Sequence, residues 1–290
     1  MATVGVEMPF ITVGTENSAP IDLYYEDHGS GQPIVLIHGF PFSGSTWEKI
    51  SGPLLSAGYR VITYDRRGFG NSAQPSFGYD YDTFTADFDI LMTELDLRNA
   101  ILVGHSMGTG EVTRYLGAYG SERVDRAILL APLAPYLTKA PDNPEGVDPS
   151  LLEEFKQAII DDRFAYLTQF CNDFFNYAEN RGTLVSDEAY RAHWDIGARA
   201  SAIGTHDCVD SWGTDFRSDV SRIDVPVLIV QGDQDRVLPY PKTGQRLQPM
   251  LSDSRLVTLK GAPHGTPWTN ADQVLQAIME FIGSPVRARA

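Results

Sequence analysis

The chain has 290 residues, 42% of them hydrophobic, and a formal net charge of -15 at pH 7, with an isoelectric point near 4.7. That length and apolar content suffice for one substantial core, and an α/β protein of this size is expected to form a single domain carrying an insertion. A balance this acidic repels phosphate backbones and anionic lipid, which excludes nucleic acid as an expected partner.

The N-terminal stretch MATVGVEMPFITVGTENSAP has neither the basic start nor the continuous apolar run of a secretory signal. No later run approaches the roughly 20 apolar residues of a membrane span, so a cytoplasmic protein without a membrane partner is expected. Short apolar runs suited to buried parallel strands then recur at residues 34–37, 60–64, 101–103, 127–130, 227–230 and 256–259; they stand between segments of helical period. Phe84, Phe88, Leu91, Met92 and Leu95 repeat at helical spacing, as do Val112, Tyr115, Leu116 and Tyr119, with Gly120 placed to stop the second helix. This alternation implies right-handed βαβ units and a parallel sheet covered on both faces. It breaks after Leu130. The proline-rich segment APLAPYLTKAPDNPEGVDPS opens a helical, aromatic-rich stretch without a convincing strand. Residues 134–222 are therefore expected to be an inserted helical cap, and residues 1–133 and 223–290 the core. Phe164, Phe170, Phe174, Phe175, Tyr177, Trp194 and Trp212 are available to line a pocket under the cap, although packing is the expected role of most of them. Cys171 and Cys208 lack CxxC spacing and read as buried free thiols. Near the C-terminus, Asn270 and Gln273 form a capping-box-like pair ahead of a helix that should bury Val274, Leu275, Ile278 and Ile282.

The string Gly104-His105-Ser106-Met107-Gly108 is a G-x-S-x-G motif set directly after a strand and before a helix, the context that a nucleophile elbow requires. Ser106 is the candidate nucleophile. A serine hydroxyl needs a base at neutral pH, and the base needs an orienting partner. Of the six histidines, only His264 follows the final strand; His105 would point away from the nucleophile, and His38 belongs to a turn after the first apolar run. The strand at 227–230 leads into Gly232-Asp233-Gln234-Asp235-Arg236, which places two carboxylates at the edge of the sheet where open α/β sheets build their sites. The order Ser, Asp, His is that of the α/β-hydrolase fold. Acyl transfer also needs N–H donors for the developing oxyanion, worth about 3 to 4 kcal/mol each. Met107, after the nucleophile, supplies one. Phe40, in the His38-Gly39-Phe40-Pro41 loop, supplies the other, and its ring is a candidate pocket wall. No HExxH, HxH or carboxylate cluster implies a metal, and no cofactor is expected.

Several stretches together resemble the cofactor-free bacterial haloperoxidases, also called non-haem chloroperoxidases or perhydrolases, and their esterase relatives. They are IHGFPFSGSTWE, YDRRGFGNSAQPSFGYDYDTF, LVGHSMGTGEVTRY, WGTDFRSDVSRIDVP, GDQDRVLP and GAPHGTPWT, and the likeness runs from about residue 21 to 283. The resemblance implies an α/β-hydrolase fold with a mostly parallel eight-stranded sheet flanked by helices, and an inserted helical cap. It implies a Ser-Asp-His triad in which the acid is the aspartate before the arginine, Asp235, and oxyanion donors at Phe40 and Met107. It further implies hydrolysis of short or aromatic esters and, with hydrogen peroxide, peracid formation followed by halide oxidation in solution. Pro41 matches the members that favour peroxide, and Phe40, Pro41, Phe170, Phe174 and Trp212 form the candidate pocket. Such proteins are often oligomers, which extends the expectation to a homo-oligomer. His105 is a departure, since haloperoxidases more often carry phenylalanine there. Asp65, Arg66 and Arg67 of DRRGFG read as a structural ion-pair segment. The alternatives are a homologue acting on a lactone, an amide or a carbon-carbon bond in a specialised or biosynthetic pathway, and a slow-turnover ligand-binding homologue.

Overall fold

A computed structural model describes residues 9–283. Residues 1–8 of the N-terminal stretch and 284–290 of the expected C-terminal core lie outside the described residues. The strands are β1 (Phe10–Glu16), β2 (Ala19–His28), β3 (Pro33–Ile37), β4 (Arg60–Tyr64), β5 (Ala100–His105), β6 (Val124–Leu130), β7 (Val227–Gly232) and β8 (Ser254–Leu259). They form one eight-stranded sheet in the order β1-β2-β4-β3-β5-β6-β7-β8. From β4 through β8 neighbouring strands are parallel, while β1 and β2 pair antiparallel at one edge. This is the α/β-hydrolase fold with its mostly parallel sheet. All six apolar runs read from the sequence are strands.

Side chains of a strand alternate between the two faces of a sheet, and here both faces are buried. Ile34, Leu36, Ile101, Val103, Ile128 and Leu130 point to one side, where α1 (Glu48–Ser56) lies. The neighbouring positions Val35, Ile37, Leu102, Ala127 and Leu129 point to the other, toward α2 (Tyr81–Glu94) and α3 (Met107–Tyr119). On α2, Phe84, Phe88, Leu91 and Met92 are buried as their spacing requires. On α3, Val112, Tyr115 and Leu116 are buried, but Tyr119 is 45% exposed and stacks on Tyr115 with ring centroids 5.3 Å apart. Gly120 ends α3 at φ 77°.

Five helices stand between β6 and β7: α4 (Ser150–Phe175), α5 (Tyr177–Asn180), α6 (Asp187–Ala198), α7 (Ala202–Ser211) and α8 (Arg217–Val220). This is the inserted helical region. α4 is two helices joined at Asp162, whose backbone leaves helical geometry at φ -158°, ψ 94°. The Asp162 carboxylate accepts from the N–H groups of Phe164 and Ala165, each at 3.0 Å, and so caps the second segment. After β7 come α9 (Gly244–Leu247), α10 (Thr266–Thr269) and α11 (Ala271–Ile282). In α11, Val274 and Ile278 are fully buried, joined by Phe281, while Leu275 and Ile282 are half-buried. The Asn270–Gln273 pair does not form a capping box: the Asn270 amide donates to Gln273 Oε1 at 2.7 Å, and Asn270 makes no side-chain cap to the helix backbone. Cys171 and Cys208 are buried free thiols, and burial pushes the Cys171 thiol up to about 12. Among the described residues no helix is long and apolar enough to cross a membrane.

Candidate active site

β5 delivers Ser106. The chain leaves the strand at His105 and turns into α3 with Ser106 at φ 54°, ψ -122°. A non-glycine residue held in such a region costs of order 1–3 kcal/mol. The Ser106 N–H donates to Leu130 O at 2.9 Å, which fixes the turn to β6. Two glycines let it close: a Cβ on Gly104 would lie 2.6 Å from Gly108 O, and one on Gly108 would lie 2.3 Å from Ile37 O.

β7 and the loop after β8 deliver a carboxylate and an imidazole. Asp235 Oδ1 accepts from the N–H groups of Val237 at 3.0 Å and Leu238 at 2.8 Å. Its Oδ2 accepts from Gln231 Nε2 at 3.1 Å and lies 2.8 Å from His264 Nδ1. With the carboxylate as acceptor this contact calls for the N–H on Nδ1, the tautomer of a neutral imidazole that leaves Nε2 as the acceptor nitrogen. Both side chains of this pair are fully buried. His264 Nε2 has no hydrogen-bond partner among the described residues, and bonds of this kind commonly tighten only when substrate is in place. Asp233 does a different job. Its Oδ1 accepts the Gly261 N–H at 2.7 Å and so fastens the loop that leads to His264.

The His105 side chain turns toward the loop after β8, where its Nε2 donates to His264 O at 3.1 Å. Its ring packs against Trp47 and Phe174 and lies 5.1 Å from that of His264. Burial, with the neighbouring His264, pushes the His105 imidazole down to about 3, so it is neutral at pH 7.

The loop after β3 lies against the elbow, with the Cβ position of Gly39 3.0 Å from Ser106 Cβ. The Phe40–Pro41 peptide is cis. Among the described residues neither the Phe40 N–H nor the Met107 N–H has a protein acceptor. Met107 opens α3, where the first N–H groups of a helix have no partner within it.

A cavity of about 180 Å³ opens on Ser106, Phe40 and Met107. Its walls are chiefly apolar, with Phe170 and Trp212 from the helical insertion, and Gln169, Asp173 and Arg236 as polar members. The Phe40 ring meets Trp212 edge-on at 4.9 Å and Phe170 at 5.6 Å. The structure places Pro41 and Phe174 outside this cavity. Pro41 Cγ lies 3.2 Å from where a Cβ on Gly197 in α6 would stand, and Phe174 stands between Phe42 at 5.0 Å and His264 at 5.4 Å. Of the other insertion aromatics, Phe164 is 49% exposed and leans on Trp194, Phe175 packs on His193, and Tyr177 packs on Tyr190. The cavity also uses Leu137, Val147, Phe155, Tyr166 and Leu238, which sequence reasoning missed. Tyr166 stands one helical turn before Phe170, an i, i+4 spacing that could have found it. Leu137 and Val147 lie in the irregular proline-rich segment, where no period exists to read. The DRRGFG segment is buried and tied to its surroundings: Arg67 pairs with Asp87 at 2.6 Å, and Asp65 accepts the Gly44 and Asn71 N–H groups, each at 2.7 Å. Among the described residues no three His, Cys, Asp or Glu side chains are grouped to hold a metal ion.

A family profile described as alpha/beta hydrolase fold matches residues 32–271. A Synechocystis sp. protein provisionally named a non-heme chloroperoxidase is 60% identical over 275 residues, covering 95% of this chain and 100% of its own. A bifunctional esterase/perhydrolase of Acinetobacter calcoaceticus is 31% identical over 273 residues, 91% of this chain and 97% of its own. The solved structure of a bromoperoxidase from Bacillus anthracis superposes with a TM-score of 0.91 at 45% identity, covering 95% of this chain and 99% of that one. With the sheet, the helical insertion and these relatives, the chain belongs to the α/β-hydrolase superfamily, in the branch of non-heme chloroperoxidases, haloperoxidases and related esterases.

Proposed function

We propose that the protein is a serine-dependent acyl-transfer enzyme that hydrolyses short or aromatic esters and, given hydrogen peroxide, forms peracids. The observation that carries the reading is the buried His264–Asp235 pair, whose Nε2 has no partner among the described residues, at the C-terminal ends of the strands, where Ser106 is held at positive φ. Ser106 Oγ attacks the ester carbonyl and His264 Nε2 takes the hydroxyl proton, while Asp235 keeps the imidazole in its Nδ1–H form. The Phe40 and Met107 N–H groups receive the oxyanion. His264 then returns the proton to the leaving alkoxide, and an acyl-enzyme remains. Water attacking that ester releases a carboxylic acid, and hydrogen peroxide attacking it releases a peracid; in either case His264 takes the proton of the attacking oxygen and gives it back to Ser106 Oγ. The peracid carries the oxidising equivalent into solution, so halide oxidation needs no metal in this scheme. Residues 134–222 act as the cap that selects the acyl group.

Size supports the substrate class. An apolar cavity of about 150 Å³ takes a benzene ring, so the one above Ser106 suits a single ring or a short acyl chain. The name of the Acinetobacter relative, which couples esterase to perhydrolase, supports the second acceptor. The test is p-nitrophenyl acetate turnover by wild type and by Ser106→Ala and His264→Ala, with and without hydrogen peroxide. Each variant is expected to lose at least about a thousandfold in turnover while remaining folded, and wild type is expected to form peracetic acid when peroxide is present. Full activity in either variant refutes the assignment; ester hydrolysis without peracid leaves a plain esterase.

A further inference from the structure

A buried charged cluster lies beneath the two backbone donors, and no step of acyl transfer uses it. Arg66 follows β4, and its guanidinium Nε and Nη2 bind Glu111 Oε1. The Tyr64 hydroxyl donates to the other oxygen of the same carboxylate. Glu111 stands on α3 one helical turn beyond Met107. From the same guanidinium, Nη2 donates to His38 O at 2.9 Å, and the Arg66 backbone N–H donates to His38 Nε2 at 3.0 Å. His38 Nδ1 lies 2.9 Å from Gly39 O. A carbonyl only accepts and a backbone N–H only donates, so both contacts hold together only for the neutral imidazole with its proton on Nδ1. Burial and then the Arg66 charge keep His38 in that form, holding its imidazole well below the usual range. His38, Tyr64, Arg66 and Glu111 are all nearly inaccessible, and the guanidinium lies between the rings of Phe69 and Phe84 at 5.8 and 5.2 Å.

A buried ion pair is a poor source of stability, since desolvation offsets most of its attraction and well-packed apolar residues often do as well. What this one supplies is registry. The guanidinium is a rigid planar fork; its Nε–Nη2 edge holds, through Glu111, the helix that begins at Met107, and the same Nη2 holds, through His38 O, the loop that carries Phe40, while Nη1 has no hydrogen-bond partner among the described residues. We propose that Arg66, acting with Glu111 and His38, is a positioning residue that sets the spacing of the Phe40 and Met107 N–H groups, so that both reach one oxyanion. The proposal rests on the acyl-transfer reading, because only a developing oxyanion needs that spacing.

The experiment compares wild type, Arg66→Met and Glu111→Gln at a temperature where each is folded. It measures kcat and KM for p-nitrophenyl acetate and the inhibition constant of phenylboronic acid, whose adduct on a serine places an oxygen where the oxyanion forms. Misplaced donors predict a fall in kcat of roughly tenfold to a hundredfold with KM changed by less than about threefold. The boronate constant is expected to weaken by the same factor as kcat/KM. Lower thermal stability with kcat and boronate binding unchanged overturns the proposal and leaves the cluster a structural strut. If Arg66→Met does not fold, Glu111→Gln, which is isosteric and uncharged, decides by the same criteria. A wild type that turns over no ester removes the acyl-transfer reading, and boronate binding to wild type and variants then decides separately; absence of boronate binding to wild type overturns both.

Discussion

His105 shows how much a single position contributes beside the turn at Ser106. It sits beside Ser106 in sequence, yet its ring nitrogen donates to the backbone carbonyl of His264 and so braces the loop carrying the imidazole. It is neutral because burial holds its titration near 3. In the unfolded chain it takes up a proton near the ordinary histidine value of about 6.5. Between those values the unfolded state binds a proton that the folded state refuses. His105 therefore lowers stability as the pH falls from 6.5 toward 3, by up to about 1.4 kcal/mol per pH unit. His105→Gln keeps an N–H for the same carbonyl and does not titrate. Urea unfolding of wild type and variant at pH 7, 6 and 5 should show a shallower acid decline in the variant. Parallel declines would mean that His105 is protonated in the fold.

At the scale of elements, the helical insertion supplies much of the wall of the cavity that opens on Ser106. The break in α4 at Asp162 lets Phe155 from one half and Tyr166 and Phe170 from the other line one cavity. The second half is also fixed to the loop that carries His264, since Phe174 O accepts the Gly265 N–H at 2.8 Å. Trp212, just beyond α7, closes the wall against the Phe40 ring. Trp212→Leu keeps the wall apolar and enlarges the cavity. The ratio of kcat/KM for p-nitrophenyl octanoate over acetate should then rise by roughly tenfold, in the range that shape differences in an apolar pocket supply. An unchanged ratio would place the acyl chain elsewhere.

Over the whole molecule, 38 acidic side chains stand against 23 Lys and Arg. Net charge of this size weakens the compact state through self-repulsion. Raising the salt from about 10 mM to about 150 mM shortens the screening length from roughly 30 to 8 Å. The melting temperature should therefore rise over that interval, as followed by differential scanning fluorimetry. A fall would mean that attractive surface pairs such as Arg217 with Asp142 and Asp215 outweigh the repulsion.

What the amino-acid order alone determined is whatever depends on neighbours along the chain. Strands buried on both faces are continuous apolar runs, so β3 to β7 are legible, and the half-buried edge strand β8 still carries Leu256, Val257 and Leu259; β1 and β2 hold Glu, Asp and Tyr on partly exposed positions, and neither stands out as a run. The elbow at Ser106 is legible because strand, turn glycines and helix follow one another directly. His264 is legible by its place after the last strand. Asp233 and Asp235 are one residue apart and chemically alike, and the resemblance alone separates them in the sequence; in the fold, Asp235 faces His264 and Asp233 faces the Gly261 N–H. The tertiary structure alone decided that Glu111, forty-five positions from Arg66, closes a cluster under the loop of Phe40, and that Leu137 and Val147 reach the cavity while Phe174 backs His264. Those contacts join segments with no shared period, and they exist only once the sheet has brought the ends of β3, β4 and β5 side by side.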